Sequence, residues 1–132
     1  MKEFNAFVKD LYESDEFIPL HPPVLKGNEK KYLNETITST FVSSVGAFVD
    51  RFENKSAAYL GVNNAVAVVN GTSALHLSLK ILGTKINDEI IMPSMTFIAT
   101  ANAISYCNAI PHFVEIEPAN LGIDPGKLEK YL

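Results

Sequence analysis

The sequence predicts an α/β fold with a parallel sheet, and three stretches carry that reading. Ala65-Val66-Ala67-Val68-Val69 is a short apolar run that ends at Asn70-Gly71 and passes into helical spacing. Ala74, Leu77 and Ile81 then share one side, with Leu75, Leu79 and Leu82 beside them. Asp88-Glu89-Ile90-Ile91-Met92 reads as a second strand, and Pro93-Ser94-Met95-Thr96 turns the chain into a helix from Phe97 to Tyr106 that is rich in small residues. Ile110 to Ile116 reads as a third strand, after which Asp124 is placed to cap a helix with Pro125 at its first position. Strands alternating with helices favour a parallel sheet, with ligands bound outside the carboxyl ends of its strands.

Upstream, Phe4, Phe7, Val8 and Leu11 recur at helical spacing and predict an amphipathic helix packed on its own domain, with Lys2, Glu3, Lys9 and Asp10 outward. Ile18 to Lys26 contains three prolines and reads as an extended arm, in which His21 is a surface or packing residue. Asn28 is a candidate cap for a helix whose inward face is Tyr32, Leu33, Thr36 and Ile37 and which ends near Ser39. Thr40 to Gly46 is too polar for a good helix, and its adjacent hydroxyls fit either a capped turn or a polar ligand site. A further helix with a buried stripe of Phe48, Val49, Phe52 and Tyr59 closes at Leu60-Gly61, Gly61 taking the left-handed position after the last turn.

A net charge of −4 over 132 residues, with no basic cluster, argues against nucleic acid or an anionic membrane as the main partner. Cys107 is the single cysteine, no Cys/His group has metal spacing, and no stretch is long enough to span a bilayer, so the expectation is a cytoplasmic protein without a metal.

The strand-to-helix turn at Gly71-Thr72-Ser73 has the chemistry of an anion site. The first amides of a helix have no partners within it and point beyond the strand end. Gly71 admits a close approach to the backbone, and the hydroxyls of Thr72 and Ser73 either cap the helix or donate to phosphate oxygens. Most turns of this type are plain connections, and the glycine fingerprints of dinucleotide and nucleoside triphosphate sites are missing.

Three blocks extend the reading. Asn70-Gly71-Thr72-Ser73-Ala74-Leu75, then Asp88 through Met92-Pro93-Ser94-Met95-Thr96-Phe97 to Ile104, then Ala109-Ile110-Pro111-His112-Phe113-Val114-Glu115-Ile116, occur in the order and spacing of the DegT/DnrJ/EryC1/StrS sugar aminotransferases, which the chain resembles. Phe41-Val42-Ser43-Ser44-Val45-Gly46-Ala47-Phe48-Val49 and Pro19-Leu20-His21 resemble the branch acting on nucleotide-linked amino sugars in legionaminic acid-type pathways, although His21-Pro22-Pro23 departs from the acidic residue often found there.

The resemblance implies the N-terminal part of a fold-type-I large domain, a three-layer αβα arrangement around a mostly parallel sheet, here incomplete. Residues 1–60 would form N-terminal helices and an arm, and 61–132 the first strands and helices of the cofactor-binding domain. It implies pyridoxal 5'-phosphate (PLP) as cofactor, glutamate as amino donor, a nucleotide-linked keto sugar as acceptor, cell-surface polysaccharide biosynthesis as the setting, and a homodimer. Gly71, Thr72 and Ser73 would hold the cofactor phosphate and Phe97 would stack on its ring, a role opposed by the plainer one of a core phenylalanine opening a helix. Ser43, Ser44 and Gly46 would lie near the substrate.

The family's Schiff-base lysine and the carboxylate facing the pyridine nitrogen belong to later segments, so the expectation is a truncated chain without catalytic residues of its own. Lys26, Lys30, Lys31, Lys55, Lys80, Lys85, Lys127 and Lys130 read as solvated surface charges, and Asp124 and Glu115 match loop and sheet positions. The first strand is implied to pair with a strand not encoded here, leaving an exposed apolar edge. Two alternatives stand beside this reading: a noncatalytic interaction module that keeps the phosphate turn, and a flavodoxin-like anion-binding domain whose first strand pairs with the second or third.

Overall fold

A computed structural model describes residues 1–19 and 21–132. The chain divides into two compact units, Met1–Asp50 and Arg51–Leu132.

In the first unit, α1 (Lys2–Leu11) and α2 (Glu29–Thr38) form where apolar spacing predicts helices. The intervening residues on either side of Leu20, which itself lies outside the described residues, adopt no helix or strand. The expected burial does not follow. Phe4, Phe7 and Leu11 of α1 and Leu33 and Ile37 of α2 are exposed, because no second surface within the unit covers them. Asn28 precedes α2 without a side-chain cap bond; the carboxylate of Glu29 instead accepts from the Gly27 amide at 2.9 Å. Helix α3 (Ala47–Leu60) begins here and continues into the second unit. Gly46 before it has φ +139°, and a Cβ there would lie 2.7 Å from Cδ1 of Phe41, so backbone and packing both demand glycine.

Phe48 and Val49 of the predicted stripe are half-buried in the first unit, whereas in the second unit α3 buries Ala57 and leaves Phe52 and Tyr59 exposed, so the later part of that stripe does not face a core. Gly61 ends the helix at φ +67°, as the sequence predicts. Residues 65–70 join no strand ladder among the described residues, which corrects the predicted first strand. Val66 and Val69 stand exposed, and the Ala67 amide is taken by the carboxylate of Glu53 at 2.8 Å. An extended apolar run becomes a strand only beside another strand. This run pairs with neither of the two that follow, contrary to the flavodoxin-like alternative.

Those two are β1 (Glu89–Pro93) and β2 (Ile110–Val114), parallel and in the register Glu89 opposite Ile110 and Met92 opposite Phe113. The ladder continues through the amide of Ser94, which donates to the carbonyl of Val114 at 2.8 Å. The third predicted strand ends at Val114 rather than Ile116, and Ile116 instead bridges Ile123 in antiparallel sense. Between the strands runs α5 (Ile98–Tyr106), whose Ile104 packs with Met92, Cys107 and Ala109. Leu79 of α4 (Gly71–Ile81) joins that cluster, while Ile81 and Leu82 remain exposed. The pleat puts Ile90 and Met92 on the face toward α5, and Glu89, Ile91 and His112 on the other. There α6 (Pro125–Tyr131) lies, capped by Asp124 Oδ1 accepting from the amides of Gly126 and Lys127 at 2.8 and 3.1 Å. The unit is therefore α/β, with a parallel pair between helices.

Within the second unit Phe52, Tyr59, Val66, Val69, Ile81 and Leu82 all stand exposed, an apolar surface open to contact with other copies. Alone at micromolar concentration it should therefore self-associate, as read by size-exclusion chromatography with light scattering; a monodisperse, cooperatively melting monomer is the contrary result. Gly46→Ala should destabilise the turn before α3 by about 1–3 kcal/mol. The effect should appear as faster hydrogen exchange at Asp50, whose amide donates to the Gly46 carbonyl at 3.0 Å.

Candidate functional site

The segment 65–70 enters α4 through Asn70, whose extended backbone (φ −164°, ψ 171°) makes it the residue before the first helical turn. Its Oδ1 accepts from the Ser73 amide at 2.8 Å and its carbonyl accepts from the Ala74 amide at 3.1 Å. Asn70, not Thr72 or Ser73, is thus the cap: the two hydroxyl residues have already turned helical, and a cap needs non-helical backbone. An Asn ahead of a helical pattern is itself a start signal, and it could have been read as one.

The cap leaves the amides of Gly71 and Thr72 as first-turn donors without an acceptor among the described residues. Gly71 is exposed, Thr72 and Ser73 are half-buried, and a Cβ added to Gly71 would meet nothing within 4 Å. The first turn of α4 carries no acidic residue and the last carries Lys80, so no charged side chain of the helix itself neutralises its positive end. Two free amides, two neighbouring hydroxyls and open space above a glycine together suit a phosphate.

Phe97 opens α5 from the residue before its first turn, after the carboxyl end of β1, and the residue is 78% exposed. It is not a core residue. Its approach is set by Ser94-Met95-Thr96, where the Thr96 hydroxyl lies 3.4 Å from that of Thr100. Helices α4 and α5 pack on one another, so the phosphate turn and the free aromatic ring belong to the starts of two neighbouring helices on one scaffold.

Ser43, Ser44 and Gly46 belong to the first unit. Ser43 and Gly46 line a cavity of about 410 Å³ whose walls include Phe41, Val45 and Phe48, while Ser44 is not part of its lining. Ser43 Oγ accepts from the Val45 amide at 3.5 Å, which is the geometry of a hydroxyl-closed turn. Of the lysines read as solvated surface charges, Lys127 is exposed and forms a surface ion pair: its Nζ lies 2.8 Å from the Glu115 carboxylate, and that hydrogen bond, followed by the charge itself, raises its pKa. Lys31 lies 3.9 Å from Glu35, one helical turn on.

Comparison with known proteins bears on these features. Residues 23–132 match the DegT/DnrJ/EryC1/StrS aminotransferase family. Among curated relatives, GDP-perosamine synthase of Vibrio cholerae is 48% identical over 106 residues, covering 80% of this chain and 29% of the relative. Among solved structures, the PLP form of the putative sugar aminotransferase Spr1654 from Streptococcus pneumoniae superposes with a TM-score of 0.77 at 27% identity, over 89% of this chain and 30% of that one. GDP-4-keto-6-deoxy-D-mannose-3-dehydratase of E. coli with bound hydrated PLP gives a TM-score of 0.77 at 25% identity, over 88% and 31%. The chain thus spans less than a third of the length of these relatives. A match that takes in the start of α4, the strand pair and the start of α5 makes this chain a member of the DegT/DnrJ/EryC1/StrS aminotransferase family.

Proposed function

We propose that the chain contributes the phosphate-holding and ring-stacking part of a PLP-dependent enzyme that transfers an amino group, with glutamate as donor, to a nucleotide-linked keto sugar for cell-surface polysaccharide. The enzyme would act as a cytoplasmic homodimer. The single observation that carries this reading is the Asn70-capped start of α4, with two unbonded amides and clear space over Gly71. The relative from Vibrio cholerae, named for a GDP-linked amino sugar, supports the substrate class.

When bound, PLP supplies an electron sink for chemistry at the amine-bearing carbon. The chain's own residues bind and orient. The Gly71 and Thr72 amides would donate to phosphate oxygens, the Thr72 and Ser73 hydroxyls would complete the cradle, and Phe97 would offer its ring face to the cofactor's ring. Ser43 and Gly46 would lie toward the sugar, with Ser44 presenting its hydroxyl from the same turn. Because the chain also superposes on a solved dehydratase, a second reading is dehydration of a nucleotide-linked keto sugar. The two are separated by whether the product gains nitrogen or loses water.

The strength of these contacts sets what the chain does by itself. A helix start contributes about 0.3–2 kcal/mol toward an anion and an aromatic stack about 0.5–1.5, together about 1–3.5, below the roughly 4–15 lost on association. The chain alone should release PLP on dialysis; a yellow protein that survives dialysis contradicts this. A hybrid with this chain in place of the matching segment of the Vibrio cholerae GDP-perosamine synthase should retain PLP and form an amino sugar. In that hybrid Phe97→Ala should weaken PLP binding about two- to tenfold, measured by fluorescence titration, and a hybrid that fails to hold PLP while remaining folded opposes the reading.

A further inference from the structure

Residues 61–70 carry the chain from the end of α3 to the start of α4 without joining a strand ladder. Backbone bonds hold the two ends of this segment. The Val62 amide donates to the Ala57 carbonyl at 3.0 Å, and the Ala74 amide to the Asn70 carbonyl at 3.1 Å. Between those ends, among the described residues, 63–69 make one hydrogen bond: the Ala67 amide donates to Glu53 Oε1 of α3 at 2.8 Å. Glu53 and Ala67 are both half-buried, and an ionised carboxylate holds an amide more firmly than a neutral acceptor does. Ala65 is half-buried as well, whereas Val66, Val68 and Val69 are exposed, so the run turns its small side chains inward. Small inward residues let the backbone come within reach of the glutamate.

Helix α4 does little to place its own first turn. None of its residues is buried, and Leu79, which joins the core cluster, lies about two turns beyond Gly71. The start of the helix is therefore located mainly by the segment that leads into it. Only three residues, at most about 11 Å of chain, lead from Ala67 to Asn70, so a fixed Ala67 amide restricts where the cap sits.

We propose that Glu53 is a positioning residue for the phosphate turn: by holding the Ala67 amide it sets the path of 65–70 and, through Asn70, the place from which the Gly71 and Thr72 amides face a phosphate. The proposal rests on the reading of the α4 start as the cofactor's phosphate site. Glu53 acts through the backbone, since its bond is made to Ala67 and not at the turn itself.

Two substitutions separate the hydrogen bond from the rest of the side chain. Glu53→Ala removes the acceptor while leaving a strong helix former in α3, and Glu53→Gln keeps an acceptor oxygen at the same reach. In hydrogen exchange of the whole chain, read by peptide mass with α5 as internal reference, the peptide over 63–70 should show a slow amide that Glu53→Ala loses and Glu53→Gln keeps. In the hybrid with the Vibrio cholerae GDP-perosamine synthase, Glu53→Ala should weaken PLP binding about three- to tenfold, and Glu53→Gln should stay within about twofold of the parent. Pyridoxal, which has no phosphate, should bind the parent and Glu53→Ala hybrids equally. Unchanged exchange in Glu53→Ala, equal losses for PLP and pyridoxal, or no rescue by Glu53→Gln would each overturn the proposal and leave the cofactor reading standing. A folded parent hybrid that holds no PLP overturns both.

Discussion

The parallel pairing of β1 with β2 is the constraint on which the second unit rests. Two parallel strands cannot be joined by a tight turn, so the chain must cross over between them, and α5 is that crossover. Its length matches the strands, and its Ile104 packs onto the sheet where Met92 emerges. Small residues bring the helix backbone close, and Cys107 and Ala109 close the far end. The core is therefore narrow, and helices that reach beyond it, such as the end of α4, carry Ile81 and Leu82 into solvent.

The same pairing places the site. A strand that ends at Pro93 and turns through Ser94 to Thr96 delivers Phe97 at the sheet's carboxyl end, while α4, packed on α5, starts with amides that lack acceptors. Neither feature is strong alone. A helix dipole and an exposed ring bind a cofactor weakly, and what raises such contacts to useful affinity is enclosure, which removes competing water and fixes both groups before the ligand arrives. The chain spans less than a third of the length of the relatives it matches, and in the proposed enzyme it would set the orientation of these groups.

Helix positions were legible in the sequence because capping and spacing are local: Asp124-Pro125, Gly61 and the Phe97 to Tyr106 segment form as their neighbours dictate. Burial was not legible, because it depends on what lies opposite. Phe52 and Tyr59 have the spacing of a core stripe and face solvent, and Val66 to Val69 have strand composition and no ladder. At the candidate site, an open helix start at Gly71 followed from residue chemistry alone. Its cap did not, since assigning Asn70 rather than Thr72 or Ser73 requires knowing where the backbone turns helical. The contact of Glu53 with Ala67 lay further from view, because it joins residues 14 apart that no local pattern connects.

Two glycines sharpen the distinction between what the chain needs and what a ligand needs. Gly46 is required internally: its φ is positive, and a methyl group would strike the Phe41 ring. Gly71 meets neither condition, with nothing within 4 Å of the missing Cβ and no positive φ, although at the first position of a helix alanine has the better propensity. Nothing in this fold rewards glycine there. Glycine keeps the space above that amide clear, and clearance above an unbonded amide at the positive end of a helix is what the proposed phosphate contact would use.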